Sequence, residues 1–368
     1  MHILILGNGF DLAHGLKTKY SDFLNYCAKK MEASYTYDIS DPYKTNLWIR
    51  HFLIVQHKMN ENWINLEVEI YNVLKFFHEH PSIPKTKIQK TFVLFFDDTI
   101  FNFYDFHKYF YDSSVPVPSG VNGYVRFEEY NLMQYKIYFS EFEGLINFLY
   151  DQLREFTKLF EDYLLNEVLK QLPEKSKYQL SLTSIWVGRQ DKDVRVLSFN
   201  YTDICEKLYN ASCEWKIKPV YVHGKVQYGG DCNLVLGTKT FETPKNKFPF
   251  PAYFNIFQKH YQRHKYQTIE PYQDLIREIK KSTTMPIFHI IGHSLDDTDK
   301  KILKHVLQAN DDCIINIYFH EPEVQKILMD NINLIITEEE VMSKVRFIHL
   351  HNDERSILKP KVESVVTK

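Results

Sequence analysis

Four short polar clusters each close an apolar run in this chain: Gly7-Asn8-Gly9-Phe10-Asp11, Asn200-Tyr201-Thr202-Asp203, His223-Gly224 and Gly292-His293-Ser294-Leu295-Asp296-Asp297. Their residue types are those of a ligand site. A histidine that titrates near neutrality can take a proton from water. An asparagine offers both a donor and an acceptor, which suits it to fixing a sugar hydroxyl. A glycine turn opening a helix lets backbone approach an anion, with N–H groups and partial positive charge at the helix end. Each cluster alone also has a plainer reading. His223 reads equally as a turn histidine bonded to backbone and Asn200 as a helix cap, while His14 and His293 read as local structure. GNGFDL also lacks the third glycine of a dinucleotide fingerprint.

The apolar runs that present these clusters have the form of strands buried on both faces. They lie at 2–6, 194–199, 219–222, 233–236, 286–291, 313–319 and 345–350, with helices expected at 204–209, around Pro271 within 251–281, at 297–307 and at 322–329. In an open parallel sheet the C-terminal strand ends share one rim, where ligands bind near the switch in strand order. Four polar clusters at four strand ends therefore point to one composite site.

Between the first strand and the rest of the sheet, residues 30–190 read as a mostly helical insertion. Loops are expected at 35–46 and 113–123, and helices at 62–77, 86–111 and through a long run beyond 123. In that run Phe142, Ile146, Leu149, Leu153, Phe156, Phe160 and Tyr163 alternate four and three, the spacing of a packed bundle face. Trp63, Leu66, Ile70, Leu74 and Phe77 form a second stripe, and Glu67 falls on it. A carboxylate there is either paired or faces a polar cavity, and the cavity expected is the one beside the first glycine turn.

The totals narrow the function classes. The 368 residues can bury a large core, and a formal charge of −2 supplies no global field for nucleic acid or membrane. No apolar run reaches the roughly 18 residues of a membrane span, and a strand starting at residue 2 leaves no room for a signal peptide. Five scattered cysteines without a CxxC pair suit a reducing cytoplasm, and no metal is expected. The 25 Tyr and 27 Phe are read as helix packing, the alternative being stacking platforms for single-stranded nucleic acid.

LGNGFDLAHGL with Lys19-Tyr20 and Asp22-Phe23-Leu24, the Trp63…Leu66-Glu67 pair, SFNYTD, VHG and IIGHSLDDTD together resemble the AbiH family of phage abortive-infection proteins. The glycine turn, the N-Y-x-D cluster, H-G and G-x-S-x-x-D are also similar to the wider sirtuin-like group. That resemblance implies an α/β fold with a Rossmann-like (sirtuin-like), mainly parallel sheet from 1–29 and 191–355, the insertion at 30–190 and a C-terminal tail at 356–368. It implies Asn200 and His223 as a catalytic pair that hydrolyses NAD. Gly7, Asn8, Gly9, Phe10, Asp11, Asp203, Gly292, Ser294, Asp297 and Glu67 would hold the dinucleotide.

The zinc cysteines of true sirtuins are missing, and GNGFD places an acid where those proteins have GAGxS. Asp11 is then read as gripping a ribose hydroxyl or capping the helix. Two other function classes stand beside NAD hydrolysis: a non-catalytic nucleotide sensor that signals to a partner, and a nuclease using Asp11, Glu67, Asp203 and Asp297 around a divalent metal. Candidate partners are a small dinucleotide, a phage-derived trigger protein and further copies of the chain.

Overall fold

The structure is a computed structural model describing residues 1–33, 41–59, 65–79, 90–95, 101–108, 110–112, 124–129, 134–139, 141–171, 178–180, 194–209, 218–241, 250–350 and 358–360. It divides into two compact units, one of residues 1–18, 163–235 and 263–368, the other of 19–162 and 236–262. The second unit thus takes a piece, 236–262, that the sequence reading assigned to the sheet.

The first unit is built on six strands: β1 (His2–Leu6), β2 (Val194–Ser198), β3 (Val220–Tyr221), β4 (Ile287–Ile291), β5 (Ile314–Phe319) and β6 (Val345–His349). Every pairing between them is parallel, and their order is β3-β2-β1-β4-β5-β6. β1 lies between β2 and β4, which explains why all five of its residues are buried. The order reverses between β1 and β4. Residues 233–236 do not add a strand; the Val235 N–H is bonded to the His223 carbonyl at 2.8 Å.

Helices of this unit are α1 (Asn8–Ala13), α2 (Ile204–Tyr209), α3 (Ile269–Lys281), α4 (Lys300–Leu307), α5 (Pro322–Asn333) and α6 (Glu338–Lys344). Strand alternation places Ile3, Ile5, Phe288, Ile290, Ile315 and Ile317 on one face. They form one core with Leu275 and Ile279 of α3, Leu303 and Val306 of α4, and Leu328 of α5. On the alternate positions His2 Nδ1 meets His289 Nε2 at 3.0 Å, and His289 Nδ1 meets the Tyr318 hydroxyl at 2.9 Å. Burial pushes His289 down to about 3, so its imidazole is neutral. Strand Leu358–Pro360 pairs antiparallel with Tyr178–Leu180, so part of the expected tail is β structure.

The second unit contains the anticipated helices at Leu66–Glu79 and Phe142–Tyr163, and two more at Tyr20–Ala33 and Leu47–Met59. The stripe from Phe142 to Tyr163 is buried throughout, and Phe23, Trp48, Phe52, Phe103 and Phe156 are fully or almost fully buried. Among the described residues only Tyr228 and Tyr261 are large exposed aromatics, so the aromatic excess serves packing. Trp63, Cys213 and the loop expected at 113–123 lie outside the described residues.

Two expectations for this unit are corrected. The single helix expected at 86–111 is corrected: among its described residues Lys90–Phe95 and Phe110–Asp112 are strands, joined with Gln134–Phe139 and Tyr124–Glu129 in a four-stranded antiparallel sheet, and Phe103–Lys108 is a short 3-10 helix. The β-branched and aromatic content of KTFVLF and QYKIYF favours strands, and pairing partners supplied what periodicity alone could not decide. Within the expected loop 35–46, Pro42–Thr45 forms a helical turn capped by Asp41, whose carboxylate accepts from the Tyr43 N–H at 3.0 Å.

Glu67 is paired. Its carboxylate meets Lys259 Nζ at 2.6 Å, with side chains 12% and 3% exposed. Losing one partner of a buried pair leaves the other charge desolvated, whereas replacing both by apolar groups removes that penalty. Lys259→Met is therefore expected to destabilise the chain by about 3–5 kcal/mol in urea unfolding, and adding Glu67→Leu to recover most of it. A single variant as stable as the parent would show the pair contributes nothing.

Candidate functional site

The site is assembled on the rim of the parallel sheet, beginning where β1 and β4 end. The N–H of Gly7 donates to the Ile291 carbonyl at 3.0 Å, and that of Gly9 to the Gly292 carbonyl at 2.8 Å. A Cβ on Gly7 would stand 2.5 Å from the Cα of His293, and one on Gly9 would stand 2.7 Å from the Cα of Gly292. Gly292 itself has φ +65, and its Cβ would fall 2.2 Å from the Phe10 nitrogen. These glycines let two backbone turns touch. The Gly7 and Gly9 N–H groups, which the sequence reading directed at an anion, are bonded to the neighbouring strand end and turn.

Just beyond this contact, Asp11 in the first turn of α1 is 1% exposed. Its Oδ1 accepts from Asn200 Nδ2 at 2.7 Å and its Oδ2 from Thr202 Oγ1 at 2.5 Å. Asn200 lies four residues before α2 begins at Ile204 and gives its amide to Asp11, so it is not a helix cap. The other end of that amide, Oδ1, is buried with no hydrogen-bond partner. A buried acceptor left in that state is the kind of group a bound ligand or water satisfies.

Burial pushes the Asp11 carboxyl up to about 7 from 3.8, against the lowering hydrogen bonds from Thr202 and Asn200 and with a further rise from the charge of Asp203. A raised acid stabilises the fold while protonated. That contribution is complete below about pH 3.8 and is lost as pH rises through about 7, a change of about 4 kcal/mol at most. Asp11→Asn cannot ionise. The parent is thus expected to lose stability relative to this variant between pH 5 and 8 in urea unfolding. Parallel pH dependence in the two proteins would contradict a titrating Asp11.

A second cluster forms at the end of β3. His223 is 3% exposed, and its Nε2 lies 3.1 Å and 3.3 Å from the two oxygens of Asp299. Arg263 Nη2 is 3.1 Å from Asp299 Oδ1 and 3.4 Å from His223 Nδ1. The ring of Phe199, at the end of β2, stands edge-on to both His223 and His293, at centroid distances of 5.5 Å and 4.3 Å. Gly224 has φ +79 and abuts the Asn233 carbonyl, where a Cβ would lie at 2.3 Å, so the turn carrying His223 is sterically fixed.

The remaining sequence candidates are spread between structural and surface positions. Asn8 is exposed and accepts from Thr18 Oγ1 at 2.6 Å, while the Phe10 ring is buried against His14. Asp203 pairs with Lys207 at 3.0 Å, one helical turn on. Ser294 and Asp297 are exposed. His14 is local structure, bonded to the Phe10 carbonyl at 2.7 Å and the Tyr209 hydroxyl at 2.6 Å. Among the described residues no group of three His, Cys, Asp or Glu side chains is arranged to hold a metal ion.

Sequence reasoning missed Asp299 and Arg263. Asp299 fell inside the helix expected at 297–307 and was not singled out; it stands at the N-terminal cap position of α4, where its side chain makes no capping bond. Asp297, chosen in its place, satisfied the G-x-S-x-x-D pattern. The available signal was the run of acids before α4, which exceeds what one helix start needs.

Both clusters fall within residues 3–319, the span over which the chain matches the family model described as Bacteriophage abortive infection AbiH. The chain belongs to the AbiH family. Its place is thus among phage abortive-infection proteins, and the match extends from β1 through β5 of this AbiH protein. No curated protein and no solved structure shows significant similarity to it. None of the AbiH chain's described helices is long and apolar enough to cross a membrane.

Proposed function

We propose that this AbiH protein acts in phage defence by binding NAD at the strand-end rim and hydrolysing its nicotinamide–ribose bond. The observation that carries this reading is the buried His223–Asp299 pair on the rim, an imidazole held by a carboxylate as in a general base. The strand order supports it, since 3-2-1-4-5-6 is the order of doubly wound, Rossmann-like sheets that take dinucleotides at the reversal. The sirtuin-like spacing of Asn200 and His223 supports it from the sequence side.

The chemistry assigns each group a task. Cleavage passes through an oxocarbenium-like ribose. Water adds to the anomeric carbon, the C–N electron pair leaves with neutral nicotinamide, and His223 takes the water proton. Asn200 Oδ1 accepts a ribose hydroxyl, completing the amide's hydrogen bonds. With the Gly7 and Gly9 amides occupied, the pyrophosphate falls to Arg263, the cation of the second cluster. Asp11 and Thr202 hold Asn200 in place.

Incubating purified protein with NAD, and separately with plasmid DNA and magnesium, tests this against its rivals. Release of nicotinamide and ADP-ribose is the expected result. Binding without release would favour a nucleotide sensor, and nicked plasmid would favour a nuclease.

A further inference from the structure

The contacts of His223 admit one neutral tautomer. A carboxylate only accepts hydrogen bonds and a guanidinium only donates them. Nε2, facing Asp299 at 3.1 Å, therefore carries the ring hydrogen, and Nδ1, facing Arg263 Nη2 at 3.4 Å, carries the lone pair. Protonating Nδ1 in this arrangement would set an N–H against the guanidinium. As it stands, both ring nitrogens face charged side chains of the protein.

Asp299 stands at the cap position of α4 with its carboxylate turned to His223 and Arg263 instead of the helix. Arg263 is 7% exposed, and its planar fork matches a phosphate or pyrophosphate better than it matches an imidazole nitrogen. The 3.4 Å contact with Nδ1 is longer than the 3.1 Å contact with Asp299, and so the one of this pair that an incoming anion more readily replaces.

We infer that Asp299 is a positioning residue that fixes His223 as the Nε2–H tautomer, making Nδ1 the basic atom, and that Arg263 screens Nδ1 until an anionic ligand engages the guanidinium. This rests on the reading of His223 as the base of the rim site. The ligand's own phosphates then release the base that acts on it. In the step itself a water O–H bond breaks, its proton goes to Nδ1, its oxygen bonds the anomeric carbon, and the leaving nicotinamide keeps the C–N pair. The resulting imidazolium is balanced by Asp299.

The test is nuclear magnetic resonance of the full chain carrying nitrogen-15 histidine, with His223→Gln identifying the ring. The free parent should show Nε2 as the protonated, pyrrole-type nitrogen and Nδ1 as a pyridine-type acceptor. Inorganic pyrophosphate or ADP-ribose should move Nδ1 downfield as Arg263 withdraws. Asp299→Asn should give averaged ring signals and, with NAD, a kcat lower on the order of 10²–10⁴-fold at little-changed KM. A parent ring protonated on Nδ1, an Asp299→Asn spectrum like the parent's, or an Nδ1 signal unmoved by both anions would overturn the assignment. If Asp299→Asn does not fold, the parent's tautomer and its response to anions decide alone. The expected spectra without NAD cleavage would remove the hydrolase reading and leave the ring assignment standing.

Discussion

His223→Ala is expected to reduce nicotinamide release on the order of 10²–10⁴-fold, the range for losing a positioned general base. The loss should fall on turnover and leave the fold in place. Arg263 and Asp299 remain bonded to each other at 3.1 Å without the imidazole, so no buried charge is orphaned. Asn200→Ala should have a similar catalytic effect with a stability cost, because Asp11 loses one of its two donors. Leaving a buried acceptor without one of its donors costs about 1–3 kcal/mol. Steady-state nicotinamide release with circular dichroism on the same samples separates the two effects. A His223→Ala protein as active as the parent would remove the base from the mechanism.

Gly292→Ala is expected to destabilise the chain by more than about 4 kcal/mol, the range reserved for a few named mechanisms. Two of them coincide here. The left-handed backbone costs a non-glycine residue roughly 1–3 kcal/mol. The added Cβ would also stand 2.2 Å from the Phe10 nitrogen and 2.4 Å from the Gly9 carbon, backbone atoms with no rotamer to escape into. Gly229 separates the terms, since it has φ +74 but nothing within 4 Å of its Cβ. Gly229→Ala should show the backbone cost alone, about 1–3 kcal/mol. Urea midpoints of the two variants compare them directly, and equal midpoints would contradict the zipped turn.

Buried parallel strands announce themselves as unbroken apolar runs, which is why β1, β4 and β5 were legible together with the rim their ends share. Helical stripes such as Phe142–Tyr163 were legible for the same reason of periodicity. The insertion's antiparallel sheet was not, because aromatic-rich segments such as KTFVLF fit either element until a partner strand is known.

At the site, residue type pointed to Asn200, His223 and Asp11. Their partners were hidden in roles that look ordinary in a sequence: Asp299 as one of several acids at a helix start and Arg263 as one cation in a basic helix. Glycine was misleading in an instructive way. Gly7 and Gly9 were identified by their freedom to approach something closely, and what they approach is the Gly292–His293 backbone.

The most direct test of the account follows NAD in infected cells expressing the parent or the His223→Ala chain. With the parent, NAD should collapse after phage infection and plaque formation should fall. With the variant at equal abundance, NAD should persist and plaques should return. Protection by the parent with NAD unchanged, or full protection by His223→Ala, would contradict NAD hydrolysis at this rim.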